Sequence, residues 1–144
     1  MCKVQHVARY IIENVGSMTT MKLQKLTYYC QAWSLAWDEE PLFDEDFQAW
    51  ANGPVCPELF NKHRGVYRVD ENFLSEYSDY SFTDDQLETM DTVLDFYKER
   101  GSHYLSELTH KERPWKETRG DLPSGESSSE IIDKDLMMEY YASL

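Results

Sequence analysis

The segment MKLQKLTYYCQAW, residues 21–33, is the strongest structural signal in this 144-residue chain. Apolar side chains recur in and just after it three and four residues apart, which places them on one face of an α-helix. The series comprises Leu23, Leu26, Cys30, Trp33 and Trp37. Further apolar residues widen this stripe, so we expect a central helix that several other helices contact. It should run from about Thr20 to Asp38, because Pro41 prevents its continuation.

Helical spacing, caps and breakers predict further helices on both sides of the central one. We expect them before Gly16, from Pro57 to about Arg64, after the capping-box pattern Thr83-x-x-Gln86, from Ser102 to Thr109, briefly at Pro114, and after Asp133.

The segment FQAWANGPV, residues 47–55, has a period of two and indicates a short strand or hairpin near residues 45–52. Gly53 and Pro54 are predicted to be the structural turn that follows it. Residues 120–129 (GDLPSGESSS) predict a flexible connection before the last helix. The expected fold is mainly α with minor β: one compact domain over residues 1–144, a bundle of about five to seven helices around the central aromatic-rich helix.

The charge balance narrows the choice of partners. The chain carries 27 acidic and 14 basic side chains, a formal net charge of −13. Such a surface repels a phosphate backbone, which argues against nucleic-acid binding. It suits solubility and a basic protein partner.

The cysteines and the apolar runs bear on location. The three cysteines, Cys2, Cys30 and Cys56, form no C-x-x-C pair, so a reducing compartment fits best. No apolar run approaches the ~20 residues that cross a bilayer. We therefore predict a cytoplasmic protein without a membrane partner.

Catalytic and metal-binding patterns are weak. His110-x-Glu112 matches the first half of the zinc deaminase signature, but the P-C-x-x-C half is missing. The histidines lack H-E-x-x-H spacing and the acidic clusters lack the spacing of a calcium loop. We predict no metal and no cofactor. A small enzyme, for example a hydrolase, that uses the His110/Glu112 region remains an alternative, as does a Cys30 or Cys56 thiolate paired with a distant histidine.

Two clusters are the candidates for partner binding. In the first, Trp50 and Asn52 precede the Gly53-Pro54 turn, and Lys62 follows in the next helix. In the second, Glu112 and Trp115 lie with His110 and Arg113 in THKERPW, residues 109–115. Each cluster has a purely structural explanation, a scaffold turn in the first and a core-covering ring in the second. As binding sites, they give the candidate contacts Trp50, Asn52, Lys62, Glu112 and Trp115.

Three motifs occur in a specific order: K-L-Q-K-L-x-Y-Y at 22–29, W-x-x-G-P-V-x-P at 50–57 and T-H-x-x-x-P-W at 109–115. With its motifs in this order, the chain resembles the SocA-like, or Panacea, antitoxin domain of bacteria and phages over roughly residues 5–142. The resemblance implies an antitoxin encoded beside a toxin and neutralising it in a complex. One branch of that family acts as an adaptor that delivers its toxin to the Clp protease. The resemblance supplies no catalytic residues.

Three hypotheses follow. The first is a module that masks a cognate toxin by direct complex formation, or delivers it to a Clp-type protease. The second is a phage-encoded regulator or adaptor that binds a host protein. The third is the small enzyme that uses His110 and Glu112.

Overall fold

The computed structural model describes residues 1–144 and contains seven α-helices, four short strands and one 3₁₀ helix. In chain order these are α1 (Val4–Val15), β1 (Met18–Thr19), α2 (Thr20–Asp38), β2 (Gln48–Trp50), β3 (Gly53–Val55), α3 (Pro57–His63), β4 (Arg68–Val69), the 3₁₀ helix (Ser75–Tyr77), α4 (Asp84–Tyr97), α5 (Ser102–Lys111), α6 (Arg113–Arg119) and α7 (Lys134–Ala142). The strands form two antiparallel pairs, β1 with β4 and β2 with β3. The predicted class, mainly α with minor β, is confirmed.

The central helix is α2, with the bounds that the sequence predicts. It packs against α1, α4, α5 and α7, and its apolar side chains belong to one continuous core of 31 buried residues. Its apolar stripe ends in solvent. Trp37, in the last turn, keeps 50% of its surface exposed while its ring lies 4.8 Å from that of Trp33.

Polar side chains of α2 are also buried, which the apolar periodicity did not predict. The Gln24 amide accepts a hydrogen bond from Cys56 N (2.9 Å) and donates one to Cys56 O (3.3 Å). Seven residues later, the Gln31 amide accepts from Leu42 N and donates to Phe43 O. Each glutamine thereby satisfies backbone groups of a segment that would otherwise lose hydrogen bonds on burial. These bonds attach two non-helical segments to the central helix.

The predicted strand or hairpin is present as β2 and β3, paired with Gln48 opposite Val55 and Trp50 opposite Gly53. The turn lies two residues earlier than predicted. Ala51 and Asn52 form the two-residue loop, and Gly53 and Pro54 begin the returning strand. Two residues are enough to reverse an antiparallel pair, so the glycine meets a different need, described below.

The connection after α6 contains no helix and no regular strand, and its predicted flexibility remains a prediction. It is attached to the hairpin at two points. Arg119 is buried, and its guanidinium donates to the carbonyls of Ala49, Pro123 and Glu126. Ile131 then forms a bridge with Gln48. Asp133 caps α7 as predicted, accepting from the backbone of Asp135.

Candidate functional site

A cleft of about 710 Å³ opens between the first turns of α2, the β2–β3 hairpin, α3 and residues 127–129. Its volume falls in the range of small-molecule and side-chain pockets. We call it the Trp50 cleft. Six apolar residues line it, namely Met21, Trp50, Ala51, Val55, Phe60 and Tyr67. No aspartate, glutamate, lysine or arginine is among its 14 lining residues, so its walls are uncharged apart from one histidine. The eight polar residues of the lining are Thr20, Gln24, Gln48, Asn52, His63, Ser127, Ser128 and Ser129.

Trp50 is held in one orientation by neighbours on both sides. Its Nε1 donates to Gln48 Oε1 at 2.8 Å, and its ring meets Phe60 edge to face with centroids 5.0 Å apart. Its carbonyl accepts from the indole Nε1 of Trp115 at 2.8 Å. A fixed ring loses little conformational entropy when a partner covers it.

The polar groups deeper in the cleft are already hydrogen-bonded to one another. Gln24 Nε2 lies 3.0 Å from His63 Nε2 while it also bonds Cys56 O. Burial lowers the pKa of His63, so its imidazole is neutral at neutral pH. An occupant of the inner part of the cleft therefore meets apolar surface and polar groups that already have partners, which favours an apolar or aromatic group.

A buried lysine lies directly beneath the hairpin. Lys25 has no exposed surface, and its Nζ donates to Pro54 O at 3.2 Å and lies 3.3 Å from Met21 Sδ, with no carboxylate in hydrogen-bonding range. Burial lowers the pKa of Lys25 to about 7 because the interior disfavours the ammonium form. The hairpin thus rests on an amine that is only partly charged at neutral pH.

Gly53 is required at this contact. Its φ is +120°, a backbone conformation that favours glycine. A Cβ there would lie 2.5 Å from Lys25 Cε and 2.9 Å from Thr109 Oγ1. The glycine predicted as a turn residue therefore serves the close approach of β3 to α2 and α5.

Trp115 lies behind the hairpin, not on the outer surface. It is 8% exposed, and the His110 ring stacks on it with centroids 4.0 Å apart and an interplanar angle of 15°. The Arg119 guanidinium lies 4.8 Å from the Trp115 ring centroid. Since Trp115 also bonds the Trp50 carbonyl, it supports the cleft from inside.

Glu112 is buried one turn further along α2 than Lys25. Its Oε1 accepts from the phenols of Tyr29 (2.7 Å) and Tyr141 (2.8 Å), and Tyr141 also reaches the Tyr28 hydroxyl. Burial raises the pKa of Glu112, and the two phenol donors partly offset this. The carboxylate joins α2 and α7 to the α5–α6 junction, and it makes no hydrogen bond to His110.

The remaining candidate residues lie apart. Asn52 is exposed at the edge of the cleft. Lys62 lies outside it, with Nζ 5.6 Å from the Tyr77 ring centroid. The structure therefore joins Trp50 and Asn52 in one site, places Trp115 behind it, and separates Lys62 and Glu112 from it. Sequence reasoning missed Phe60, Tyr67 and Met21 as lining residues, because residues so far apart in the chain show no common spacing.

The groups considered for catalysis are dispersed. Burial raises the pKa of the Cys56 thiol to about 12 and raises that of Cys30. Burial also lowers the pKa of His110, whose Nε2 has no hydrogen-bond partner. No group of three or more His, Cys, Asp and Glu side chains is arranged to hold a metal ion. None of the helices combines the length and the apolar composition needed to traverse a bilayer.

Fold and site together define a small, mainly α-helical protein with a cleft beside a β-hairpin. The family model described as antitoxin SocA-like, Panacea domain, matches residues 23–116. The match covers more than half of the chain, which therefore belongs to this antitoxin family. No curated protein and no solved structure shows significant similarity to it.

Proposed function

We propose that this protein is an antitoxin that neutralises a cognate toxin by direct complex formation, and that the Trp50 cleft receives an apolar or aromatic side chain of the toxin. The observation that carries the proposal is the cleft, a preformed cavity whose uncharged walls include three aromatic rings and are built largely from the segment that matches the family. Membership of an antitoxin family points to a protein partner, and the cleft offers that partner an anchor point.

The rim of the cleft has the composition of an interface hot spot. Tyr67 is 77% exposed, and Trp50 and Phe60 are half-buried. Tyrosine and tryptophan dominate hot spots because they cover a large area with few rotatable bonds. Complete burial of one phenylalanine-sized anchor would contribute about 2 kcal/mol. The net charge of −13 would mainly accelerate encounter with a basic toxin.

The candidate residues take different roles in this proposal. Trp50 and Asn52 touch the toxin directly. Lys62 lies at the outer edge of the interface, where a rim charge contributes little to affinity. Trp115 and Glu112 act through the positions of the hairpin and the helices.

Co-expression with each neighbouring reading frame tests the proposal. A toxic neighbour whose growth inhibition this chain relieves supports it, and failure to relieve inhibition by any toxic neighbour contradicts it. The cleft is then tested with Ser128→Trp, which places an indole in the cavity. We expect loss of neutralisation and at least about a tenfold increase in the Kd of the purified complex.

Ser124→Trp is the matched control. Ser124 lies in the same connection but does not line the cleft, so this variant should neutralise like the wild type. If Ser128→Trp also neutralises normally while both variants melt like the wild type, the cleft is not the toxin site.

The mode of neutralisation and the alternatives are separated by three further measurements. Inhibition of purified toxin by purified antitoxin alone indicates occlusion, whereas neutralisation that needs a Clp-type protease in the cell indicates an adaptor. Capture of a host protein in place of a neighbouring toxin indicates a regulator. Turnover of a small compound by the purified protein that is lost in a folded His110→Ala variant favours the enzyme.

A further inference from the structure

A second surface, separate from the residues that line the Trp50 cleft, is formed by α2, α4 and α5. Three aromatic side chains are exposed there: Trp37 at 50%, Phe96 at 67% and Tyr104 at 48%. They come from the last turns of α2 and α4 and the first turn of α5. We call these three residues the aromatic face. Met21 in the cleft and Trp37 are separated by about 24 Å at 1.5 Å per helical residue.

The three rings are connected through side chains beneath them. Trp33 packs on Trp37, and its Nε1 donates to the Tyr97 hydroxyl at 3.1 Å. Phe96 meets Tyr97 edge to face at 4.8 Å. Arg100 N donates to Tyr97 O at 2.9 Å, and the Arg100 guanidinium lies over the Tyr104 ring. Tyr97 is thus the common neighbour of the aromatic face.

The pairing of α2 with α4 agrees with this arrangement. Thr89 Oγ1 donates to Asp38 at the C-terminal end of α2, and Lys22 Nζ donates to Lys98 O near its start. The two helices are therefore antiparallel. Phe96 follows Thr89 by seven residues, about 10 Å along α4, on the same side of the helix. It therefore lies beside the middle of α2, whereas Trp37 lies nearer the end that Thr89 contacts.

Acidic residues flank these rings in the chain. Segments 37–40 and 95–107, which contain the three rings, carry six acidic side chains and the two basic side chains of Lys98 and Arg100. Lys98 pairs with Asp95, and the Arg100 guanidinium lies over the Tyr104 ring at 4.9 Å. Glu39, Glu40 and Glu99 are exposed and have no ion-pair partner, so their carboxylates are available to cations from outside.

We propose that the aromatic face binds a basic segment of a partner protein, whose arginine side chains stack on its rings and pair with the flanking carboxylates. Arginine suits both parts of the surface because its planar guanidinium stacks on aromatic rings and pairs with carboxylates. The contact of Arg100 with Tyr104 is an example within the chain. The proposal goes beyond the Trp50 cleft, because no group that lines the cleft takes part.

The test uses a fluorescein-labelled helical peptide with arginine and leucine on one face, titrated into the full chain and followed by anisotropy. Two further peptides carry lysine or glutamate in place of every arginine. We expect the arginine peptide to bind tightest and the glutamate peptide not to bind. Phe96→Ser and Trp37→Ala should each raise the Kd of the arginine peptide about tenfold, which is within the range of cation–π energies.

Tyr67→Ala is the matched control, since it removes an exposed aromatic ring at the cleft. It should leave peptide affinity unchanged. Because Phe96 and Trp37 are half or more exposed, we expect their variants to fold, and thermal melting checks this. Two exposed acids allow a second test: Glu99→Lys should weaken binding, whereas Glu71→Lys, outside the segments that contain the rings, should do so much less.

Several results would overturn the proposal. Equal affinities for the arginine and lysine peptides would show that stacking of the guanidinium on the rings does not contribute to binding. Wild-type affinity in both Phe96→Ser and Trp37→Ala would show that the peptide binds by general charge alone. Self-association of the chain that Phe96→Ser abolishes would make a second copy the occupant. None of these results depends on whether this chain neutralises a toxin through the Trp50 cleft.

Discussion

Two surfaces that involve α2 have opposite character. At the N-terminal end of α2, the Trp50 cleft is concave and is lined by no acidic or basic side chain other than His63. The aromatic face, which includes Trp37 at the C-terminal end, is exposed and is flanked in the chain by acidic residues. Aromatic rings are present on both surfaces, so the neighbouring polar groups distinguish them. A cleft whose polar groups bond one another selects for apolar groups, whereas free carboxylates select for cations.

The difference originates in the polar residues of α2 itself. At the cleft end, Gln24 and Lys25 point inward and bond the backbone of residues 54 and 56. At the other end, Asp38 bonds only Thr89, and Glu39 and Glu40 follow it into solvent. One helix therefore organises a buried polar contact at its start and an exposed acidic one at its end.

The largest predicted effect is at Gly53. Gly53→Ala places a Cβ within 2.5 Å of Lys25 Cε in a backbone conformation with φ +120°. We expect a loss of about 3 kcal/mol in the free energy of unfolding, from backbone strain and overpacking together. Urea denaturation measures it.

Gly16→Ala is the control for strain alone, since Gly16 has φ +99° and no other group lies within 4 Å of the place where its Cβ would be. Gly16→Ala should lower the free energy of unfolding by about 1 kcal/mol. If both substitutions cost the same, the cleft end is not built on a tight contact with Lys25, and the contrast between the two ends weakens.

The second prediction concerns pH and Lys25. The folded-state pKa of about 7 lies below the unfolded value of about 10.4. Between these values the unfolded chain binds more protons, so stability rises with pH through this window. From pH 7 to pH 9 we expect a gain of about 2 kcal/mol relative to Lys25→Met. Urea midpoints of both proteins at the two pH values measure it, and parallel pH profiles would show that the amine is not the titrating group.

The sequence predicted the elements well because local patterns determine them. The bounds of α2, the Thr83 capping box and the hairpin region all follow from spacing and capping. The site was less predictable. The hydroxyls of Tyr29 and Tyr141 donate to the Glu112 carboxylate, and these tyrosines lie 83 and 29 residues from Glu112 in the chain. No local pattern therefore distinguishes this structural glutamate from a catalytic one.

One signal in the sequence could have revealed part of the site. Gln24 and Gln31 lie seven residues apart, on the same side of a helix whose apolar residues are otherwise typical of a core. Amides at such positions must find hydrogen-bond partners when buried. That requirement predicts that the two amides contact irregular backbone, but it does not identify the segment.

The third prediction addresses the middle of α2, between the two surfaces. Glu112→Leu leaves the Tyr29 hydroxyl without its acceptor, while Tyr141 keeps Tyr28. We expect a loss of about 1.5 kcal/mol, the usual cost of an unsatisfied buried polar group. Glu117→Leu is the control, because Glu117 is exposed and pairs only with Arg113, and it should change stability by less than about 0.5 kcal/mol.

The sign of the pH effect at Glu112 is opposite to that at Lys25. Burial raises the folded-state pKa of this acid, so its contribution to stability is fully present below the unfolded pKa and is lost as pH rises through the folded value. The wild type should therefore lose stability relative to Glu112→Gln as pH rises from about 4. A wild type that gains stability relative to this variant over that range would show that the phenol donors outweigh burial.

The smallest predicted effect concerns the aromatic face. Arg100→Ala uncovers Tyr104, now 4.9 Å from that guanidinium, and removes a cation that repels incoming arginines. We expect the arginine peptide to bind about threefold tighter, a change below about 1 kcal/mol. Lys98→Ala removes the same charge from a residue paired with Asp95, so it should tighten binding less. Equal gains from the two variants would mean that charge alone governs the surface, whereas a larger gain from Arg100→Ala means that the Tyr104 ring itself receives the incoming guanidinium.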